Sequence, residues 1–273
     1  MIAATRPSRA AKSALEIAVT CWFVAALIGQ WAFFYYIVSF YGASTVHGHF
    51  ETWRKARFLV KGYVPGDTVG NLVFAAHALL AAVVVLTGAL QLVPQLRSRA
   101  ISVHRWNGRV FIVAALCVSA GGLYMVWIRH STPSVAAAIG VSMNALLVVV
   151  FSALAWRAAI RRTISSHRRW ALRAYVAANG VWFQRVGVFA WIVLNRGPVG
   201  MTRGMNGPFD YFWFYAYFIL PLLILELYLH ASARAGTRHR FVIAAFMSVA
   251  TVVMVIGVVG TFLLMWRPIL VTL

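Results

Sequence analysis

The sequence predicts an all-α fold: a polytopic transmembrane helical bundle of about seven spans. Three observations predict it. Of the 273 residues, 62% are hydrophobic and only 11% charged, with a mean hydropathy of +0.79, whereas a soluble domain carries about 25% charged residues. Apolar runs long enough to cross a hydrocarbon core of about 30 Å recur along the chain. Basic residues collect between alternate runs, as the positive-inside rule requires. The formal charge of +20, which in water would suggest a nucleic-acid partner, therefore reads as topology against a lipid bilayer, and no nucleic acid is expected.

The spans fall near residues 17–41, 69–93, 107–128, 134–156, 170–194, 209–230 and 241–265. The first follows Arg6, Arg9 and Lys12. Its apolar region is too long for a signal peptide and lacks a small-residue cleavage site, so it reads as an uncleaved helix. Between the first two spans, Phe50, Trp53, Ala56 and Leu59 or Val60 recur at helical spacing among basic residues. That pattern suggests a helix lying in the membrane interface, with a packed loop as the alternative. The second to fifth spans, 69–194, form the expected core bundle, joined by short basic turns. Residues 195–208 hold four glycines and two prolines, an irregular loop. The sixth span contains Pro221, an expected kink. With 17–41, the last two spans are peripheral, and the whole of 1–273 reads as one membrane domain.

Orientation follows from the Lys and Arg counts. Residues 1–13, 96–109, 157–173 and 231–240 hold sixteen, the opposite loops eight, and Arg185 alone lies within a span. The N-terminus is then cytoplasmic and the C-terminus external, in a bacterial inner membrane. Trp106, Trp127, Trp156, Trp170 and Trp266 fall at span ends, as an aromatic belt would place them. Cys21 and Cys117, inside apolar runs, read as buried small hydrophobes.

Within lipid the polar residues are informative, because each must be paired or face an interior space. His77 lies about 12 Å and Arg185 about 13 Å below the outer surface at 1.5 Å per residue. Met143, Asn144, Gly121 and Gly122 fall at similar depth. Arg185 calls for an anionic partner, from Asp67, Asp210 or Glu51 dipping inward or from a ligand; the plainer alternative is snorkelling to the outer surface with hydrogen bonds to helix carbonyls. Glu16 and Glu226 are placed too far away. His77 reads either as a neutral core histidine or as a ligand to haem iron or metal. The face through Ala81, Val84, Gly88, Gln91 and Gln95 turns it inward.

A second polar layer sits at the cytoplasmic side. Residues 102–109, SVHRWNGR, and 166–173, SHRRWALR, each set a histidine among arginines and a tryptophan where a span begins, with Ser102 and Ser166 as helix caps. His104 and His167 can both point inward and form one bis-imidazole haem site, or bind a quinone or lipid headgroup. The plainer reading is that Arg and Trp simply mark the interface. In the external loop, His47, His49 and Glu51 are a weak zinc or copper pattern.

From His77 through Gln91-Leu-Val-Pro-Gln-Leu-Arg97, His104-Arg-Trp-Asn-Gly-Arg-Val110, Gly121-Gly-Leu-Tyr124 and His167-Arg-Arg-Trp-Ala-Leu-Arg-Ala-Tyr175 to Arg185, the chain resembles an uncharacterised bacterial family of predicted polytopic membrane proteins. That family has no established activity to carry over. A more distant likeness is to four-helix membrane cytochromes with haem b. That likeness implies His104 and His167 as a clamp, with Gly121 and Gly122 letting a porphyrin lie close. The fourth span, however, offers no histidine opposite His77, only Met143.

Three functions follow: a haem b or quinone-linked electron-transfer protein with a redox partner, a transporter or lipid-binding protein with an anion site at His77 and Arg185, or an accessory subunit of a membrane complex. No P-loop, HExxH or paired carboxylates appear, and five acidic residues leave little for acid–base hydrolysis.

Overall fold

The computed structural model describes residues 8–55, 62–234 and 236–271. All secondary structure among them is helical. The main helices are α1 (Arg9–Ile37), α2 (Thr68–Leu92), α3 (Ile101–Trp127), α4 (Val135–Ile160), α5 (Ile164–Ala178), α6 (Gly180–Leu194), α7 (Pro208–Arg234) and α8 (Thr237–Thr261). Six segments are long and apolar enough to cross a membrane, and α5 with α6 makes a seventh span bent by 57°. The expected seven runs are thus present, all but the second extended by a turn or more. α1 continues through a π turn, Val38–Gly42, to Val46, and α8 through a second, Phe262–Trp266, to Val271.

Local chemistry sets the helix starts. Ser8, Asp67 and Ser134 cap α1, α2 and α4 by accepting from Ala11 N, Gly70 N and Ala137 N, as short polar side chains do for the unpaired amides of a first turn. Ser102 and Ser166 do not cap. α3 and α5 begin at Ile101 and Ile164, and both serines lie inside the first turn. Pro94 opens a short helix, Pro94–Arg99, after α2 stops at the extended residue Val93, the backbone that a following proline demands. α7 runs on through Pro221.

The break in the fifth span falls at Asn179, inside an unbroken apolar stretch. Its Nδ2 donates to Tyr175 O at 2.8 Å, a local bond that competes with continued helix. The amides of Trp182 and Phe183 both fall back on Asn179 O. Gly180 then admits close neighbours: a Cβ there would lie 2.6 Å from Asn144 Nδ2.

α2 packs on α3, α4 on α5, and α1 on α8, while α8 and α7 flank α6. Ser8 N donates to Thr237 Oγ1 at 2.9 Å, joining the starts of α1 and α8. The core is an aromatic cluster along α1: Trp266 stacks on Phe33 and Tyr36, and Phe74 meets both Tyr41 and Trp53.

Several expectations change here. Trp266 is fully buried rather than part of a belt. Cys21 and Cys117 are exposed on the outer surface of the bundle, and so is Met143, which takes it away from His77. The loop Phe50–Lys55 is a 3-10 turn whose Trp53 is buried and donates Nε1 to Ser44 Oγ at 2.6 Å. Over these described residues it is a packed 3-10 turn against the bundle. Ala56, Leu59 and Val60, also expected in that helix, and the basic start at Arg6 lie outside the described residues.

Candidate functional site

Three polar bonds stitch α2 to α3 at successive heights. His77 Nδ1 bonds Val118 O at 2.9 Å, Asn107 Nδ2 donates to Thr87 O at 2.8 Å, and Gln91 Nε2 donates to His104 O at 2.8 Å. A backbone carbonyl only accepts, so Nδ1 of His77 carries the proton. In the neutral ring Nε2 is then the lone-pair nitrogen. Gly121 and Gly122 let α3 approach this ring: a Cβ on either would sit 3.4–3.5 Å from His77. Their role is to admit the imidazole.

The second motif clips α5 to its neighbours in the same way. His167 Nδ1 bonds Ala155 O at 3.0 Å. Arg173 holds Glu226 through two hydrogen bonds. Tyr175 Oη donates to Gln30 Oε1 at 2.6 Å, reaching α1.

Arg185 differs from these. It projects from α6 with 9% of its surface exposed. Nη1 bonds Val181 O of its own helix at 3.0 Å, the guanidinium lies 5.3 Å from the Phe33 ring centre, and Nε has no partner. All five acidic residues are described, and none pairs with it. Asp67 binds Arg129 at 2.8 Å, and Glu226 binds Arg173. Asp210 accepts from the amides of Thr202 and Gly207. Glu51 lies beside His49 at the surface, and Glu16 is exposed. The expected inward dip of Asp67, Asp210 or Glu51 does not occur.

Arg185, His77 and Gly122 line a common cavity of about 170 Å³. Its walls are mostly apolar, including Phe33, Ile37, Phe74, Ala78, Met125 and Val126, and it reaches the 131–133 turn and Met205. Tyr36, Tyr41, Tyr217 and Ser131 add hydroxyls. Tyr36 Oη and Ser131 Oγ are buried without hydrogen-bond partners, although the Tyr41 phenol stands beside Tyr36. Val181, in the first turn of α6, also lines the space, which brings the positive end of that half-helix toward it. The arrangement is donor-rich and carries one full positive charge. Sequence reasoning found His77 and Arg185 but missed the tyrosines, whose hydroxyls in an apolar run were the available signal.

Residues 74–204 match DUF2306, a family of predicted membrane proteins. The expected family resemblance over about 77–185 holds and is wider. No curated protein and no solved structure matches the chain. The DUF2306 region takes in the α2–α3 stitches, the broken span, His77 and Arg185. The tyrosines of α1 and α7 that complete the cavity wall lie outside it.

The remaining expected site residues lie elsewhere. His104 and His167 are neighbours at the arginine-rich end, close enough to interact electrostatically. Two imidazoles suit haem iron, and His104 Nδ1 is buried without a partner. Neither the cavity at Arg185 nor a shallower groove between α3 and α4 reaches them. The approach over Gly108 is filled by the Gln91 amide. His47 and His49 are exposed, with rings 6.5 Å apart, and no cluster of three or more metal-ligating side chains occurs among the described residues.

Proposed function

We propose that this chain is an anion carrier of the bacterial inner membrane whose binding site is the cavity at Arg185 and His77. The observation that carries the reading is the buried guanidinium, whose charge no carboxylate among the described residues compensates. An arginine at mid-membrane costs about 2.5–3.5 kcal/mol on insertion scales, and a bound anion offsets that cost through charge-assisted hydrogen bonds. The broken span supports a carrier in particular. Discontinuous helices whose half-helix N-termini face an anionic substrate are a recurrent transporter device. Basic residues concentrate at the end with Arg97, Arg157 and Arg161, which favours placing that end in the cytoplasm and the 131–133 mouth of the cavity outside.

Pulses of benzoate, acetate, phosphate or chloride over reconstituted proteoliposomes on a solid-supported membrane test this. Wild type should give an anion-dependent current that Arg185→Gln abolishes. Wild type that responds to none of these anions would overturn it.

Electron transfer through haem b or a quinone, with His104 and His167 as ligands, is the second reading, favoured by the unpaired His104 Nδ1. A visible spectrum separates the two.

A further inference from the structure

We infer that the anion is a small monocarboxylic acid with an apolar body, bound with its carboxylate on Arg185. The inference rests on the anion-site reading above and adds the ligand's class. Charge comes first. Among the described residues Arg185 is the sole Lys or Arg lining the cavity, and the Nδ1 proton of His77 is engaged by Val118 O. One cation compensates one negative charge. A doubly charged phosphate or sulfate would keep a second charge out of water without a counter-ion, which low-dielectric surroundings penalise heavily.

Donor geometry comes next. Nη1 of Arg185 is taken by Val181 O, whereas among the described residues Nε is an orphan and Nη2 makes no hydrogen bond. These two form the side-on edge that grips a planar carboxylate through two parallel bonds, once the enclosed Nε turns toward the cavity. The Tyr36 hydroxyl, beside the Tyr41 phenol, is a further polar group in the same wall.

Size and polarity set the rest of the molecule. Phe33, Ile37, Phe74, Ala78, Met125 and Val126 surround the space, so the body of the ligand is hydrocarbon. A cavity of about 150 Å³ lined by such side chains accepts benzene, and this one measures about 170 Å³. An aromatic or short aliphatic acid fits. Haem, quinones and other ligands that need pockets of about 300–1,000 Å³ do not, nor does a long acyl chain.

Equilibrium binding to the full chain in nanodiscs tests this with benzoate, its neutral isostere benzamide, inorganic phosphate and palmitate. The expected result is saturable benzoate binding, at least tenfold weaker for benzamide and for phosphate. Arg185→Gln should weaken benzoate at least tenfold. Val141→Phe, which fills the cavity from α4 and leaves the arginine in place, should do the same. That second variant keeps the test decisive if Arg185→Gln fails to fold. Phosphate binding more tightly than benzoate, lost in Arg185→Gln, would overturn the monocarboxylate class and leave the anion site standing. Palmitate in preference to benzoate would assign the carboxylate to a lipid and overturn the size argument. Absence of binding by every charged probe would remove the anion site itself.

Discussion

Arg173 grips Glu226 side-on, Nε to Oε1 at 2.6 Å and Nη2 to Oε2 at 2.8 Å, with its guanidinium over the Trp170 ring at 4.6 Å. The pair ties α5 to α7 just inside the arginine-rich end. It also answers which cation Glu226 serves. With that acid engaged, Arg185 is left without a counter-ion among the described residues. Two arginines on one bent span therefore have opposite characters, one a clip and one a site.

Arg173→Gln should lower the stability of the detergent-solubilised protein by about 1–2 kcal/mol. That range reflects a bidentate geometry discounted for the partial exposure of Glu226. Because the loss is mutual, Glu226→Gln in the Arg173→Gln background should cost little more. A double-mutant cycle on thermal unfolding reads this coupling. Additive effects of the two changes would show that the pair contributes nothing as a unit.

Glycines next to the site differ in how tightly they are packed. A Cβ at Gly140 would meet Phe214 O at 2.3 Å, whereas at Gly121 it would meet His77 Cβ at 3.4 Å. Gly140→Ala is expected to destabilise by about 1–3 kcal/mol through overpacking against backbone, and Gly121→Ala by well under half of that. The comparison also bears on the cytochrome-like reading, in which Gly121 makes room for a porphyrin and any side chain would be severe. Melting temperatures of the two variants under one condition are sufficient.

Protein purified from haem-replete cells is expected to show no Soret band, and His104→Ala and His167→Ala should leave its visible spectrum unchanged. The argument is spatial: the Gln91 amide, bonded to His104 O at 2.8 Å, occupies the space over Gly108, one turn on from His104. A Soret band removed by either alanine would put electron transfer ahead of anion binding.

How far the sequence could be read depends on what lipid makes costly. Spans were legible because every apolar run of membrane length has few alternatives, and His77 and Arg185 because a polar group at that depth must face inward. Which side of an apolar helix faces lipid was not legible. Lipid is as apolar as a core, so Cys21, Cys117 and Met143 carry no mark distinguishing them from buried residues. The same blindness put Trp266 in a belt. The bend at Asn179 escaped because hydropathy continues across it, and its cause is a single side-chain bond to Tyr175 O. Pairings such as Arg129 with Asp67, or Tyr175 with Gln30, join residues far apart in the chain and needed the fold to be seen.

Arg185→Met should make the ligand-free protein more stable, by about 1–3 kcal/mol. A buried charge without a counter-ion is a net cost, and an unbranched apolar side chain of similar length removes it while filling the same volume. In the same variant benzoate should no longer raise the melting temperature, whereas in wild type saturating benzoate should. Stability and binding would thus move in opposite directions at one residue, as expected of a group retained for function at the expense of the fold. Were Arg185 a structural arginine held by Val181 O, the Phe33 face and the α6 backbone, its loss would lower the melting temperature, as at Arg173. The sign of that single shift, measured without ligand, decides between a site and a clip.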